Sequence, residues 1–393
     1  MKTIAVFFGG RSVEHEVSVI TGMQIMENMD GSKYHIVPVY ITKEGRWLSG
    51  DSLKNFKTFK NQDFSQAHEV YFDLNLRDRT LYRRVTEKGG LFKGERERAE
   101  AVAQVDLIFP ALHGTFGEDG NIQGYFETLG LPYAGSSTVA AAVGMDKAMQ
   151  KNIFKASGLP VLEGFEVYRS RWKREPEAVA GDVAELGYPV FVKPSNLGSS
   201  IGISKVKDAS ELTDAMELAA FYSEKLLVER AAKEPRELNC AVLGYEEELI
   251  TSQIEEPIGW KDLLKFEDKY MGGKSGTAKG GKQTSEKRNI PAKITDQEAA
   301  TIEKLAKGAF AALSCSGTAR IDFLMDEDGI YINEINTLPG SLGFYLWEGK
   351  GLSFTQLVDR IIDIAFTSHR QREENQYTYD AQLFEKTSYG SKL

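Results

Sequence analysis

Two carboxylates and an amide stand close together towards the C-terminal end of the chain. The pattern predicts two β-strands joined by a turn at Asp326–Gly329. Because side chains alternate along a strand, Glu334 and Asn336 share one face, and Asp322 can lie opposite them. Two carboxylates and an amide oxygen suit Mg²⁺, a hard cation that takes few protein ligands and leaves positions for substrate phosphates. The alternative is a polar hairpin face with exposed acids.

A lysine followed by small residues forms a second candidate, from Lys193 to Gly202. Glycines and serines let backbone N–H groups approach an anion, and the lysine adds a fixed positive charge. The strand pattern resumes after Gly202, which excludes the strand–loop–helix type of phosphate loop. We interpret the segment as a phosphate-binding β-hairpin; the alternative is a tight hairpin with a strand-end lysine.

Four other residues stand at the ends of predicted elements. Glu229 ends an apolar strand, where it can bind a ribose or an adenine edge or simply cap the strand. Lys147 lies near a helix start, where it can reach a phosphate or remain a solvated lysine. Glu14 and His113 follow strands at the sheet edge where open α/β folds bind ligands. Glu14 suits an ammonium group, or it only stabilises the helix start; for His113 a structural role is the alternative.

Residues 266–290 are rich in glycine and lysine, although the protein as a whole is acidic. The segment lies in sequence between the phosphate hairpin and the proposed metal strands. We therefore predict a lid that closes over phosphates and excludes water. A surface linker is the alternative.

Length and composition bound the class of protein. The chain has 393 residues, too many for one ordinary core, which predicts two or three domains. Its composition is that of a soluble globular protein, with 41% hydrophobic and 27% charged residues. The net charge of −9 argues against a general binder of nucleic acid or anionic membranes.

The compartment is predicted from the cysteines and the first apolar run. Cys240 and Cys315 make neither a disulfide framework nor a metal-binding spacing, which fits a reducing compartment. The apolar run at residues 4–8 is too short for a signal peptide or a membrane span. We expect a cytoplasmic protein with small-molecule partners and no nucleic-acid or membrane partner.

The order of elements predicts an α/β protein. A strand at 3–8, a helix from about 17 to 29 and a strand at 37–41 make a β–α–β start, so we predict a parallel α/β domain over residues 1–135. Residues 45–100 look like an elaboration with short strands. A second domain over 136–232 contains a helix around 145–157 and carries the phosphate hairpin.

The third predicted domain covers residues 233–393 and contains antiparallel strands and two helices. Thr295 begins a capping box that opens a helix through Leu313, and Ser353 opens the last helix. We predict a polar tail at 369–393.

Seven motifs in order resemble the D-alanine–D-alanine ligase family, ATP-grasp enzymes of peptidoglycan precursor synthesis. The resemblance covers roughly residues 3–366. The motifs are Gly9-Gly-Arg-Ser-Val-Glu14-His-Glu-Val-Ser18, His113-Gly-Thr-Phe-Gly-Glu-Asp-Gly120, Met145-Asp-Lys147, Lys193-Pro with Gly198-Ser-Ser-Ile-Gly202, Lys269-Tyr270, Arg320-Ile-Asp322 and Glu334-Ile-Asn-Thr-Leu-Pro-Gly340.

The resemblance implies a three-domain ATP-grasp fold, a homodimer, and ATP held between the second and third domains with two Mg²⁺ or Mn²⁺. It implies ATP contacts for Lys147, Lys193, Ser200, Glu229, Glu237 and Lys269. It implies metal ligation by Asp322, Glu334 and Asn336. It implies first-substrate contacts for Glu14, Ser199, Tyr270 and His113. It implies that Arg320 and the Gly340 backbone N–H meet the oxyanion.

One segment departs from the family pattern. Where the family commonly has a small hydroxyl residue for the acceptor's carboxylate, this chain has Tyr345, and Ser341 is a possible substitute. Tyr270 resembles members that form a dipeptide, which favours D-alanine as acceptor. D-serine, D-lactate or another amino acid remain alternatives, and so does a non-catalytic nucleotide-binding protein.

Overall fold

The fold is described from a computed structural model over residues 1–75, 78–87, 96–258 and 288–381. In these ranges the chain forms three β-sheets with helices packed on them. No helix of these ranges combines the length and the apolar character that a membrane span requires.

The N-terminal part confirms the predicted β–α–β start. Among its described strands, only three pair in parallel, whereas a fully parallel domain was predicted. Its elements are β1 (Lys2–Gly9), α1 (His15–Asn28), β2 (Tyr34–Ile41), β3 (Trp47–Ser49), α2 (Phe56–Asn61), β4 (His68–Phe72), β5 (Thr80–Glu87), β6 (Arg96–Gln104), β7 (Leu107–Ala111) and α3 (Asn121–Leu129). Over the described residues the strands form one seven-stranded sheet in the order β6-β5-β4-β3-β2-β1-β7. β1 pairs in parallel with β2 and β7, whereas β3 to β6 extend the sheet antiparallel.

The middle part is a small antiparallel sheet with helices. Its elements are α4 (Thr138–Met145), α5 (Lys147–Ala156), β8 (Gly164–Tyr168), α6 (Arg169–Arg174), α7 (Pro176–Leu186), β9 (Val190–Pro194), β10 (Ser204–Val206), α8 (Leu212–Tyr222) and β11 (Lys225–Arg230). The strand order within the described ranges is β10-β9-β11-β8. The hairpin of β9 and β10 confirms the predicted strand–loop–strand, and the return strand begins at Ser204.

The helix predicted around 145–157 is confirmed as α5, and a separate short helix, α4, precedes it. Asp146 stands between α4 and α5 with extended backbone, and its side chain accepts the N–H groups of Ala148 and Met149. An aspartate that caps a helix satisfies donors that the first turn leaves unpaired, so a new helix begins there. Lys147 is therefore the first residue of α5.

The last part carries the proposed metal strands. Its elements are β12 (Arg236–Tyr245), β13 (Glu248–Pro257), β14 (Arg288–Asn289), α9 (Asp296–Ala312), β15 (Gly317–Met325), β16 (Ile330–Asn336), α10 (Tyr345–Glu348) and α11 (Phe354–Glu373). These strands, counted over the described residues, make an antiparallel sheet in the order β14-β13-β12-β15-β16. Thr295 and Ser353 both form complete capping boxes, which confirms the two predicted helix starts. The polar tail was predicted to begin at 369, but α11 continues to Glu373.

Among the described residues, the largest hydrophobic core joins the two ends of the chain. It combines β1 and β7 of the first sheet with α10, α11 and β12 of the last part. Burial of this shared apolar surface fixes the N-terminal sheet edge against the last sheet. Residues 45–100, predicted as an elaboration, contribute Leu48 and Leu53 to the same core.

Candidate active site

Glu14 lies where two loops from different sheets meet. It is 8% exposed at the start of α1, and the Ser199 hydroxyl donates a 2.5 Å hydrogen bond to its Oε1. A Cβ on Gly198 would lie 2.8 Å from Glu14 Oε1, so the loop backbone approaches closely because that residue is glycine. Ser199 and Ser200 both have positive φ, a tight conformation that turns this loop towards Glu14. The predicted pair of Glu14 and Ser199 is thus in contact.

His113 joins the end of β7 to the segment that follows β16. Its Nε2 lies 2.9 Å from Thr21 Oγ1, and the Ser341 N–H donates to the same Thr21 oxygen. The Leu338 backbone also lies near the ring and favours its protonated form. Burial lowers the pKa of His113 to about 4, which keeps the imidazole neutral near pH 7. These bonds place Ser341 beside α1.

Glu118 is a member of the site that was not predicted. It lies in the Gly-Glu-Asp-Gly motif after β7, and its Oε2 accepts the Gly114 N–H at 2.7 Å. Burial and the negative charge of Glu14 raise its pKa to about 8. Its position four residues after Gly114, in a motif already singled out, was the available signal.

Three lysines and one buried glutamate form the phosphate-side cluster: Lys147, Lys151, Lys193 and Glu229. Glu229, 1% exposed on β11, contacts Lys193 and lies 2.7 Å from Lys151 Nζ. Burial alone would raise the pKa of Glu229, but the two lysines outweigh burial and lower it to about 2. Lys151, four residues after Lys147 on α5, was not predicted. The proposed contact of Glu229 with adenine or ribose stays a prediction.

Lys147 connects the phosphate loop with the metal strands. Its Nζ donates to the Leu197 carbonyl at 3.0 Å and lies 3.1 Å from Glu334 Oε2. Lys193 Nζ likewise donates to Asn333 Oδ1 on β16 at 3.3 Å. Both predicted phosphate lysines, one on α5 and one on β9, therefore point to the last sheet.

The predicted metal ligands are brought together. Asp322 on β15 is the register partner of Glu334 on β16, and Asn336 Nδ2 lies 3.1 Å from Asp322 Oδ2. No group of three or more His, Cys, Asp or Glu side chains in the described ranges could hold a metal. The predicted set has only two acids, and the amide of Asn336 is its third member. Two carboxylates and an amide oxygen are donors that a hard cation accepts, so the residues fit Mg²⁺.

Arg320 lies beside these ligands on the same face of β15. It binds Asp322 through two hydrogen bonds, from Nε at 2.6 Å and from Nη2 at 2.8 Å. Burial opposes its charge, yet Asp322 keeps the pKa of Arg320 above its ordinary value. Tyr345 and Glu255 lie near enough to act on the same charge.

The remaining predicted residues lie partly within and partly outside the described ranges. Glu237 is on β12, opposite Leu324, and Gly340 begins the turn that leads to α10. Lys269 and Tyr270 lie outside the described residues, as does most of the predicted lid. The ligand contacts proposed for Ser200, Glu237 and Gly340 stay predictions.

Comparison with known proteins gives a consistent result. Family models described as D-ala D-ala ligase N-terminus and C-terminus match residues 3–136 and 153–363. The D-alanine--D-alanine ligase of Geobacillus thermodenitrificans is 37% identical over 97% of this chain and 100% of that protein. The D-alanine--D-alanine ligase of Thermosipho africanus is 36% identical over 98% of this chain and 99% of that protein.

Solved structures share the fold over most of their length. The VanG D-Ala:D-Ser ligase from Enterococcus faecalis superimposes with a TM-score of 0.76 at 31% identity, covering 93% of this chain and 99% of that one. The D-alanine-D-alanine ligase from Coxiella burnetii gives a TM-score of 0.76 at 28% identity, covering 95% and 96%.

The three sheets and the site between them define an ATP-grasp ligase. Within that class, the chain belongs to the D-alanine–D-alanine ligase family.

Proposed function

We propose that this chain uses ATP to join two D-alanines to D-alanyl-D-alanine for peptidoglycan precursor synthesis. The supporting observation is one continuous set of contacts. Glu14 binds Ser199 in the phosphate loop, the same loop binds Lys147 through Leu197, and Lys147 binds Glu334. These contacts support the proposal because they join the carboxylate proposed for the ammonium group, the lysines proposed for the phosphates and the residues proposed as metal ligands.

The first step transfers the γ-phosphoryl group of ATP to the carboxylate of the first D-alanine. That carboxylate attacks phosphorus, ADP leaves, and an acyl phosphate forms. Glu14 holds the ammonium of the first D-alanine, while Lys147 and Lys193 neutralise the phosphate oxygens. Bound Mg²⁺, held by Asp322, Glu334 and Asn336, would supply further neutralisation of the phosphate charge.

The second step forms the peptide bond. The amine of the second D-alanine attacks the acyl carbonyl, loses a proton, and inorganic phosphate leaves. Negative charge develops on the carbonyl oxygen, and Arg320 with the Gly340 backbone N–H would stabilise it. The acyl phosphate hydrolyses in water, so water must be excluded while it exists.

Three features complete the proposal. The enzyme uses two Mg²⁺ or Mn²⁺, acts as a homodimer, and works in the cytoplasm. They follow from the family resemblance, and the composition with its two buried cysteines supports a reducing compartment.

The proposal is tested by ADP release with ATP and Mg²⁺ across single D- and L-amino acids, with products identified by mass. We expect D-alanyl-D-alanine from D-alanine, and loss of ADP release when Mg²⁺ is chelated. ADP release only in the presence of D-serine or D-lactate would keep the mechanism and change the acceptor. No turnover with any of these substrates would contradict the proposal.

A further inference from the structure

A second buried glutamate borders the site and was not predicted. Glu255 on β13 is 3% exposed, and its Oε2 accepts hydrogen bonds from the Tyr345 hydroxyl at 3.1 Å and from Asn239 Nδ2 at 3.2 Å. Arg288 Nη1 lies 3.0 Å from Glu255 Oε1. The Arg288 guanidinium also lies over the Tyr345 ring, 4.7 Å from its centroid. We name Glu255, Arg288 and Tyr345 the acceptor-side cluster.

The acceptor-side cluster lies on the face of the sheet that carries the metal ligands. Glu255 is the register partner of Asn239, and Asn239 is the partner of Asp322. Side chains that are directly opposite on paired strands point to the same face. Glu255 and Tyr345 also lie near enough to influence Arg320, which binds Asp322. The cluster is therefore adjacent to the arginine proposed for the oxyanion.

The Tyr345 hydroxyl is already used as a donor. It has one O–H, and that O–H donates to Glu255. In this geometry it has no hydrogen left for the carboxylate of an acceptor, although its position in the sequence predicted that contact. Arg320 donates from Nε and Nη2 to Asp322, and its other donors are the ones proposed for the oxyanion.

Arg288 has the charge and the donors that a carboxylate requires. A guanidinium carries five N–H donors in a planar fork, so it can bind a second carboxylate while Nη1 keeps its ion pair with Glu255. Its side chain is 39% exposed, which leaves surface for a ligand. Stacking on Tyr345 and pairing with Glu255 fix its orientation.

We propose that Arg288 binds the carboxylate of the acceptor amino acid, and that Glu255 and Tyr345 are positioning residues for it. The inference rests on the proposed ligase activity and assigns the residue that binds the carboxylate of the acceptor. It selects D-amino acids with a free carboxylate over their amides.

The test compares two acceptors, D-alanine and D-alaninamide, with D-alanine as the first substrate. The unmodified chain should strongly prefer the acid, measured as the ratio of acceptor kcat/KM values. Arg288→Ala should lower that ratio on the order of 100-fold, because the lost ion pair serves the acid and not the amide. Arg288→Lys keeps the positive charge and should recover part of the preference for the acid. The KM values for ATP and for the first D-alanine should change little.

Arg236→Ala is the matched control. Arg236 has the same 39% side-chain exposure and pairs with Glu256, the neighbour of Glu255 on β13. Successive residues face opposite sides of a strand, so Arg236 lies on the other face and its variant should keep the acid-to-amide ratio.

Tyr345→Phe tests the positioning role without emptying the pocket. It removes the bond to Glu255, and we expect a raised acceptor KM with a smaller loss of the acid-to-amide ratio than for Arg288→Ala. Equal losses for the acid and the amide in Arg288→Ala, or the same ratio as in Arg236→Ala, would overturn the inference. Absence of any dipeptide from the unmodified chain would instead contradict the proposed function.

Discussion

Arg320 serves both a carboxylate and, by our proposal, the oxyanion. Its two bonds to Asp322 hold the guanidinium in one orientation beside the metal ligands. Arg320→Ala should lower kcat for dipeptide formation by on the order of 100-fold, or about 3 kcal/mol, as for loss of another oxyanion donor. Steady-state ADP release measures this. Arg320→Lys keeps the charge but loses the two-bond geometry, so it should recover part of the rate. A wild-type kcat in Arg320→Ala would exclude the oxyanion role.

Glu118 gives the site a pH-dependent cost in stability. Burial and Glu14 raise its pKa to about 8 from an ordinary value of 4.5. Between these two values the folded chain holds a proton that the unfolded chain has released, so the free energy of unfolding falls as pH rises. Glu118→Gln removes the ionisation, and its amide oxygen can still accept the Gly114 N–H.

We therefore expect the Glu118→Gln variant and the unmodified chain to have similar free energies of unfolding near pH 4.5, the ordinary pKa of a glutamate. The variant should become progressively more stable than the unmodified chain as the pH rises towards about 8. Urea unfolding at several pH values within this window measures the difference. Parallel pH profiles for the two chains would show that Glu118 keeps an ordinary pKa.

At the scale of single elements, α9 depends on its capping box. The Thr295 hydroxyl accepts the Glu298 N–H, and the Glu298 carboxylate accepts the Thr295 N–H. Thr295→Ala should cost about 1 kcal/mol of stability, since it leaves first-turn donors without their cap. Thr301→Ala on the same helix is the control, because that exposed hydroxyl bonds the Gln297 carbonyl within the helix. Urea unfolding measures the free energy of unfolding of both variants. Equal losses of stability in the two would contradict a specific capping effect.

Elements whose signal is local were predictable from the sequence. The capping boxes at Thr295 and Ser353 and the alternation that sets Asp322 against Glu334 depend on neighbours a few residues apart, and the structure confirms them. The short helix α4, which ends just before the cap at Asp146, was not predicted. The antiparallel extension of the first sheet was missed because pairing direction depends on tertiary context.

Site residues divide in the same way. Glu14 and Ser199 stand in recognisable motifs, and their contact spans 185 positions in the sequence. Glu255 and Lys151 have no such motif. A glutamate in a strand and a lysine in a helix are ordinary surface residues until the fold buries them with partners. Their roles follow from packing, which one sequence does not reveal.

At the scale of the molecule, the two ends of the chain share one core. Ile361 and Leu357 of α11 belong to the same buried cluster as Ile4 and Phe109 of the first sheet. The loops after β1 and β7, which carry Glu14 and His113, are therefore held against the segment that carries Ser341. Loss of this packing should loosen the site as well as lower stability.

Ile361→Ala tests that coupling. Ile361 is 2% exposed, and its truncation should cost about 2–5 kcal/mol through lost burial and a cavity. Because the core is shared, amide hydrogen exchange should increase in β1 and β7 together with α11, and the KM for the first D-alanine should rise. Ile20→Ala is the control, since Ile20 is 46% exposed on α1 and should change stability by no more than about 0.5 kcal/mol. Faster exchange confined to α11 would show that the first sheet is stable without this contact, and that the ends of the chain fold as separate units.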